Sequence, residues 1–328
     1  MNAISPPLQV GVMGCGDIAW RNILPAMERA GVEIVAAASR DPEKARRFGQ
    51  RFGCEPLQGY EALLEQPGID AVYIALPTGL HFTWAKRALE AGRHVLAEKP
   101  LATSLAQTEV LVATARAHGR WLADNFGFVH HSQHTAVRKM IAEGLIGEPR
   151  SFSAAFGIPP LPAEDIRYRP ELGGGALLDL GVYTARSARL MLGSEFSVLG
   201  SVLRMDRHRD IDLDGSALLC STDGVPADLG FSFRTSYRSG YAVWGSEGRI
   251  TLNRAFTPPP TLRPVIRLER QDRTEEITLP ADDQFANLVR DFARCALGGA
   301  DFEPQGKALL NQAALVDEIR DVARRVTV

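Results

Sequence analysis

Lysine is scarce in this 328-residue chain. Of its 37 basic residues only five are lysines, Lys44, Lys86, Lys99, Lys139 and Lys307. Where arginine is the habitual cation, a lysine marks a place that can need a compact, titratable ammonium. Four of the five lie in polar helix-like stretches and read as solvated. Lys99 instead stands in Glu98-Lys99-Pro100, at the end of an apolar run, where the proline holds it extended. A second informative stretch, Gly173-Gly174-Gly175, leads into Asp179 and Tyr183, four residues apart and so on one helix face. The glycines permit close approach to a ligand or to another backbone. A tyrosine beside an ammonium is lowered toward the working pH range and can donate a proton. Singly, Lys99 also reads as a loop lysine and Tyr183 as a half-buried core residue; together they point to acid–base chemistry.

A second constellation is built for a dinucleotide. Gly14-Cys15-Gly16-Asp17-Ile18-Ala19 is a GxGxxA fingerprint directly after the apolar run Leu8 to Met13 and at the start of a helix pattern. The first glycine allows the tight turn and the second lets backbone approach a pyrophosphate. The small third residue packs helix on strand, and the helix N-terminus supplies N–H donors. The next strand ends Ala38-Ser39-Arg40, where an NAD site usually carries a carboxylate for the ribose hydroxyl. A hydroxyl and a guanidinium there suit a 2′-phosphate, so NADP(H) is the expected cofactor. Arg40 alone also reads as an exposed helix-entry charge. Asp41, followed by Pro42, reads as a helix N-cap. Lys44, in the first turn beyond it, joins the cofactor set.

The elements that must position these groups fall into two regions. Strands are expected at Leu8–Met13, Val32–Ala38, Ala71–Ala75, His94–Ala97 and Trp121–Ala123. Helices at Ile18–Arg29, Pro42–Phe52, Leu80–Ala91 and Ser104–His118 alternate with them. That pattern implies a parallel sheet covered on both faces. After about Asn125 the pattern changes: a helix His134–Glu143, a strand Arg150–Phe156, a Pro-rich stretch Ile158–Pro170 that is expected to overlie a site, and a helix Ala176–Leu192. Residues 196 to 280 read as mostly antiparallel strands, with turns at Asp214-Gly215, Asp223-Gly224 and Glu247-Gly248. Helices Gln284–Leu297 and Gly306–Arg325 close the chain. The fold class is thus α/β, with residues 1–125 as the cofactor domain and 126–328 as a second, α/β domain.

Composition narrows the partners. A formal net charge of −2 gives no field that favours nucleic acid or a membrane surface. No apolar run reaches membrane-spanning length, and Met1–Pro7 has no secretory h-region. Four scattered cysteines, Cys15, Cys54, Cys220 and Cys295, form no disulfide or metal pattern. A cytoplasmic enzyme without a metal is expected.

The fingerprint, Glu98-Lys99-Pro100 and Asp179-xxx-Tyr183, in this order and over the whole chain, resemble the Gfo/Idh/MocA oxidoreductases. The resemblance implies an N-terminal Rossmann domain and a C-terminal α/β domain whose open, mostly antiparallel sheet often makes homo-oligomer contacts, as a dimer or tetramer. It places Lys99 at the nicotinamide and the substrate, with Glu98 and Asn125 beside them. Leu76-Pro77-Thr78-Gly79-Leu80-His81 is similar to the family's TPxxxH motif, departing at Leu76; Leu76, Pro77, Thr78 and His81 are expected to line the cofactor. Tyrosine at 183, where many members have histidine, is similar to the sugar ketoreductases and dihydrodiol dehydrogenases. Asn125 through His131, Ile158-Pro159-Pro160, Asp165 through Tyr168 and Phe256 through Pro259 resemble the nucleotide-sugar 3-ketoreductases; Gly127 and Ser132 replace a larger residue and a proline there. The implied reaction is reduction by NADPH of a ketone at C-3 of a dTDP-3-keto-deoxyhexose. Tyr183 would give the proton, Lys99 would steady the charge and Asp179 would contact and orient the substrate or orient Lys99. Asn125, His131, Arg167 and Tyr168 are the expected substrate contacts, each of which also reads as loop polarity. An NADP-dependent sugar or dihydrodiol dehydrogenase and a non-catalytic nucleotide-binding sensor remain alternatives.

Overall fold

A computed structural model describes residues 7–193 and 195–328. The reading of Met1–Pro7 thus lies, Pro7 apart, outside the described residues. The chain forms two compact units: residues 1–125 with 285–310, and residues 126–284 with 311–328.

In the first unit β1 (Gln9–Met13) leads into a π-helical segment, Ala19–Ile23, that continues as α1 (Leu24–Ala30). Then follow β2 (Glu33–Ser39), α2 (Pro42–Phe52), β3 (Glu55–Gln58), α3 (Tyr60–Glu65), β4 (Ala71–Ile74), α4 (Thr78–Glu90), β5 (His94–Ala97), α5 (Leu105–Ala117) and β6 (Leu122–Asp124). The strands lie in the order β3-β2-β1-β4-β5-β6, all parallel. This is the doubly wound order, whose ligand crevice opens at the carboxyl ends where β1 meets β4. The central strands are apolar throughout because helices bury both faces: Ala71 to Ile74 are all inaccessible. β3 was not expected. Glu55-Pro56-Leu57-Gln58 carries no apolar run because it is an edge strand, where proline is tolerated and one side needs no partner.

The second unit holds α6 (Ser132–Ala142), β7 (Pro149–Gly157), α7 (Val182–Leu192), β8 (Phe196–Met205), β9 (Asp212–Ser221), β10 (Pro226–Ser232), β11 (Arg238–Gly245), β12 (Arg249–Asn253), β13 (Val265–Arg270) and β14 (Arg273–Thr278). The chain ends in α8 (Gln284–Gly298), α9 (Glu303–Asp321) and β15 (Ala323–Thr327). The sheet order is β14-β13-β12-β11-β7-β10-β9-β8-β15. Only the β7–β10 and β8–β15 pairs are parallel. One face buries Phe152, Phe231, Leu219 and Leu229 together with Val137, Ala185, Leu315 and Ile319. The other leaves Leu199, Val202, Leu218 and Trp244 exposed.

Three expectations need correction. Asp214-Gly215 is no turn but lies inside β9; a Cβ on Gly215 would meet Phe231 and the Val202 carbonyl at 2.7 Å, so glycine serves cross-strand packing. The final helix stops at Asp321, and Ala323–Thr327 forms a strand on β8. Residues 126–328 are not one unit, because Leu288, Val289 and Phe292 of α8 pack into the core of the first sheet. Glu303 likewise takes a two-point ion pair from Arg116 at 2.7 and 2.8 Å.

Candidate active site

The fingerprint loop is shaped by what surrounds its glycines. Gly14 has φ 103°, and a Cβ there would lie 2.5 Å from the Ala75 carbonyl and 2.8 Å from Leu76. The β1 and β4 ends therefore meet only through glycine. Gly16 is open by comparison, its nearest such contact being 3.8 Å, and its carbonyl accepts the Trp20 N–H to begin the helix. Asp17 and Ile18 are exposed at that start. Burial pushes the Cys15 thiol up to about 12, so it stays protonated and unreactive. The residues fit a dinucleotide: a backbone cradle that only glycine can form, at a helix N-terminus.

At the end of β2 the carboxylate of Asp41 is committed to α2, accepting the N–H groups of Glu43 at 3.0 Å and Lys44 at 3.4 Å. Ser39 is buried and its Oγ accepts the Asp41 N–H. Arg40 is exposed beside Tyr60, whose phenol is raised by burial against the pull of that guanidinium, and Lys44 is exposed one turn on. Tyr60 packs edge-on against Trp84 at 5.0 Å, and Gly59 N–H donates to the Ser39 carbonyl. Tyr60 was not singled out from the sequence, since it reads as an ordinary helix-start aromatic.

Across β4, β5 and β6 the strand ends carry a buried polar network. Tyr73 Oη and Asn125 Nδ2 both donate to Glu98 Oε1, at 2.7 and 2.6 Å. Burial raises the Glu98 carboxyl above its ordinary range, against the pull of those two bonds and of Lys99. Lys99 follows directly and is half-buried. Pro77 precedes the first residue of α4, Thr78. His81 departs from expectation. It is wholly buried, with Nδ1 and Nε2 at 2.8 and 2.7 Å from the carbonyl oxygens of Pro100 and Leu76, so it ties the β4 and β5 loops together rather than lining the cofactor.

In the second unit Asp179 lies in a π-helical segment, Leu177–Gly181, that runs into α7. Arg167 Nε donates to Asp179 Oδ2 at 2.8 Å while its Nη1 reaches Asp165 Oδ1 at 3.2 Å. Two of the expected substrate contacts are therefore brought together as an ion pair. Asp179 chiefly, then Asp165, holds the guanidinium above its usual range against burial. Asp212 anchors the segment from β9, accepting the Leu177 N–H at 2.6 Å; burial pushes its carboxyl up to about 6. Gly174 is forced by backbone, since a Cβ would meet the Arg167 carbonyl at 2.5 Å. The Tyr183 ring stands in a cage of Phe156, Phe126, Phe256 and Phe128, with centroids 5.1, 5.5, 5.7 and 5.8 Å away. Those phenylalanines are scattered in sequence, and no periodicity joins them.

Two further expectations are corrected. His131 is buried and caps α6, its Nδ1 accepting the Gln133 N–H at 3.1 Å. Tyr168 is buried against Phe233, and its hydroxyl accepts the Leu161 N–H, so it braces the Pro-rich segment. The His131 Nε2 has no hydrogen-bond partner. Among the described residues no cluster of three metal-ligating side chains occurs, and no helix is long and apolar enough to cross a membrane.

A glycine cradle on a doubly wound sheet, in a chain whose second unit carries an open mixed sheet, is a combination shared with known proteins. The chain matches the Gfo/Idh/MocA oxidoreductase family's NAD-binding Rossmann fold over residues 8–126 and its C-terminal domain over residues 134–251, and it belongs to that family. It is 51% identical over 321 residues, 98% of this chain and 97% of the other, to the dTDP-3,4-didehydro-2,6-dideoxy-alpha-D-glucose 3-reductase of Actinomadura kijaniata. The enzyme of that name from Saccharopolyspora spinosa is 50% identical, over 97% of this chain and 98% of its own. Among solved structures, KijD10, a 3-ketoreductase from Actinomadura kijaniata in complex with NADP and TDP-benzene, superposes with a TM-score of 0.96 at 51% identity, covering 98% and 99% of the two chains.

Proposed function

We propose that this chain is an NADPH-dependent ketoreductase that reduces C-3 of a dTDP-linked 3-keto-deoxyhexose in deoxysugar biosynthesis. The observation that carries this is end-to-end identity of about half the residues with 3-ketoreductases. The N–H groups at Gly14 to Ile18 hold the pyrophosphate, and Ser39, Arg40 and Lys44 hold the 2′-phosphate. Leu76, Pro77, Thr78, Glu98, Lys99 and Asn125 line the rest of the cofactor. When bound, the cofactor supplies a hydride for the carbonyl carbon. Tyr183 gives its phenolic proton to the oxygen, and the Lys99 ammonium stabilises the charge that develops there. The Arg167–Asp179 pair orients the sugar nucleotide. The open sheet face joins copies of the chain into a homo-oligomer, which works in the cytoplasm with its cysteines reduced.

The test is loss of NADPH absorbance with dTDP-3,4-didehydro-2,6-dideoxyglucose and other 3-keto nucleotide sugars. Rapid turnover is expected with at least one of them and not with the free sugars. Turnover only in the oxidative direction, with free sugars or dihydrodiols and NADP⁺, would replace this reading by the dehydrogenase one. Binding of NADPH without turnover of any of these would leave the sensor.

A further inference from the structure

Tyr73, Glu98 and Asn125 come from three neighbouring strand ends. Ile74 pairs with Ala97 and Ala97 with Asp124, so Glu98 and Asn125 emerge side by side, with Tyr73 beneath them. Tyr73 is fully buried, which holds its phenol well above the ordinary range; it keeps its proton and is a donor to Glu98 Oε1. That same oxygen takes the second donor from Asn125 Nδ2. Only the amide nitrogen can face a carboxylate oxygen that is already accepting, so the two bonds fix which way the Asn125 amide is turned. Its Oδ1 must then point elsewhere. Asn125 is 3% exposed, and this oxygen has no hydrogen-bond partner. Buried acceptors are rarely left unmet. This one lies at the carboxyl end of β6, on the edge where a doubly wound sheet receives its ligand. It calls for an N–H donor from a ligand held at that edge.

We propose that Tyr73, acting through Glu98, is a positioning residue that fixes Asn125 so that Oδ1 accepts the carboxamide N–H of bound nicotinamide. The inference rests on the NADP reading above. The bond sets which face of the nicotinamide ring is presented, and Glu98 thereby orients the cofactor while its neighbour Lys99 meets the substrate.

The experiment is equilibrium binding by calorimetry to the whole enzyme, with three ligands. NADP⁺ carries the carboxamide. Nicotinic acid adenine dinucleotide phosphate replaces it with a carboxylate, which has no donor. 2′-Phospho-ADP-ribose lacks the ring. Wild type is expected to prefer NADP⁺ to the nicotinic acid analogue by about tenfold or more, because a hydrogen bond is exchanged for two facing acceptors. Asn125→Ala should bring that ratio close to one. Tyr73→Phe should lower it by about threefold, because Asn125 is then held by one bond fewer. Affinity for 2′-phospho-ADP-ribose should be unchanged in both variants, which separates a local effect from general damage to the fold. If Asn125→Ala keeps the wild-type ratio, the acceptor is met by water and the inference falls while the NADP reading stands. If wild type binds none of the three ligands, the NADP reading falls and the inference with it.

Discussion

Tyr183 carries two kinds of constraint, and they divide its ring from its hydroxyl. Four phenylalanines hold the ring within 5.8 Å, so its position is set by packing and not by the bond it makes to substrate. Phe126 and Phe156 meet it edge-on and Phe128 and Phe256 at a tilt, and aromatic pairs contribute about 0.5–1.5 kcal/mol each beyond the area they bury. Tyr183→Phe preserves that cage and deletes only the proton donor. Turnover is therefore expected to fall about a hundred- to ten-thousand-fold, the usual range for general acid catalysis, with thermal stability nearly unchanged. Lys99→Ala should cost at least as much, since it removes charge stabilisation as well as the influence on the phenol. The double variant should lose less than the product of the two single losses, as groups acting as a unit do. Single-turnover reduction at saturating NADPH measures this directly. Near wild-type rates in both single variants would remove the proposed mechanism.

Elements place these residues by means that differ in how openly they are written in the chain. The Rossmann strands β1, β4 and β5 are legible because they are buried on both faces and need continuous apolar runs. The glycine fingerprint is legible because its geometry tolerates little else. β3 and β15 are not, being edge strands whose pairing needs one apolar side at most. The same limit governs the site. Lys99 and Asp179 stand in local motifs, whereas His81, His131 and Tyr168 are polar residues whose burial is decided by chain segments far away in sequence. Asp212 is a further case: it looks like an ordinary strand residue and yet holds the Leu177 N–H at the segment that carries Asp179. Its carboxyl titrates near 3.8 when unfolded and at about 6 when folded. Between those values the unfolded chain has released its proton and the folded chain has kept it, so stability falls as pH rises from about 4 to about 6. The difference, on the order of 3 kcal/mol, persists at neutral pH. Asp212→Asn keeps an acceptor for Leu177 without the buried charge. It should be at least as stable as wild type at pH 7.5 and should lack that part of the pH slope. Urea midpoints of the two proteins between pH 4 and pH 8 provide the comparison, and identical slopes would show that Asp212 is not the group responsible.

At the scale of the whole molecule the unexplained feature is the open face of the nine-stranded sheet. A folded chain rarely leaves a large apolar patch on a regular sheet without use for it. Here Leu199 and Trp244 are 61% and 63% exposed, and Leu218 and Val202 add to the same sheet. The patch is not uniformly apolar. A concavity of about 890 Å³ on this sheet is lined in part by Val202, Arg204, Asp214, Arg234 and Arg238. Asp214 pairs with both Arg204 and Arg234, and with Arg238 the lining keeps an excess of arginine. Trp244, toward the other end of β11 from Arg238, is an exposed aromatic of the kind that anchors protein interfaces. A twofold-related copy would present the same surface, which suits the isologous contacts of closed homo-oligomers. The expected species is a dimer or a tetramer by light scattering at micromolar concentration. Trp244→Glu places a charge at the exposed anchor, where it has no fold of its own to disturb, and should shift the mass toward monomer. Losing an anchor of this kind typically costs about 2 kcal/mol or more of association free energy, enough to raise the dissociation constant at least about thirtyfold. Thermal unfolding of the second unit's core should be little changed at concentrations where both proteins are monomeric. A wild type that is monomeric throughout would remove the interface, and an oligomer indifferent to Trp244→Glu would place it on another surface.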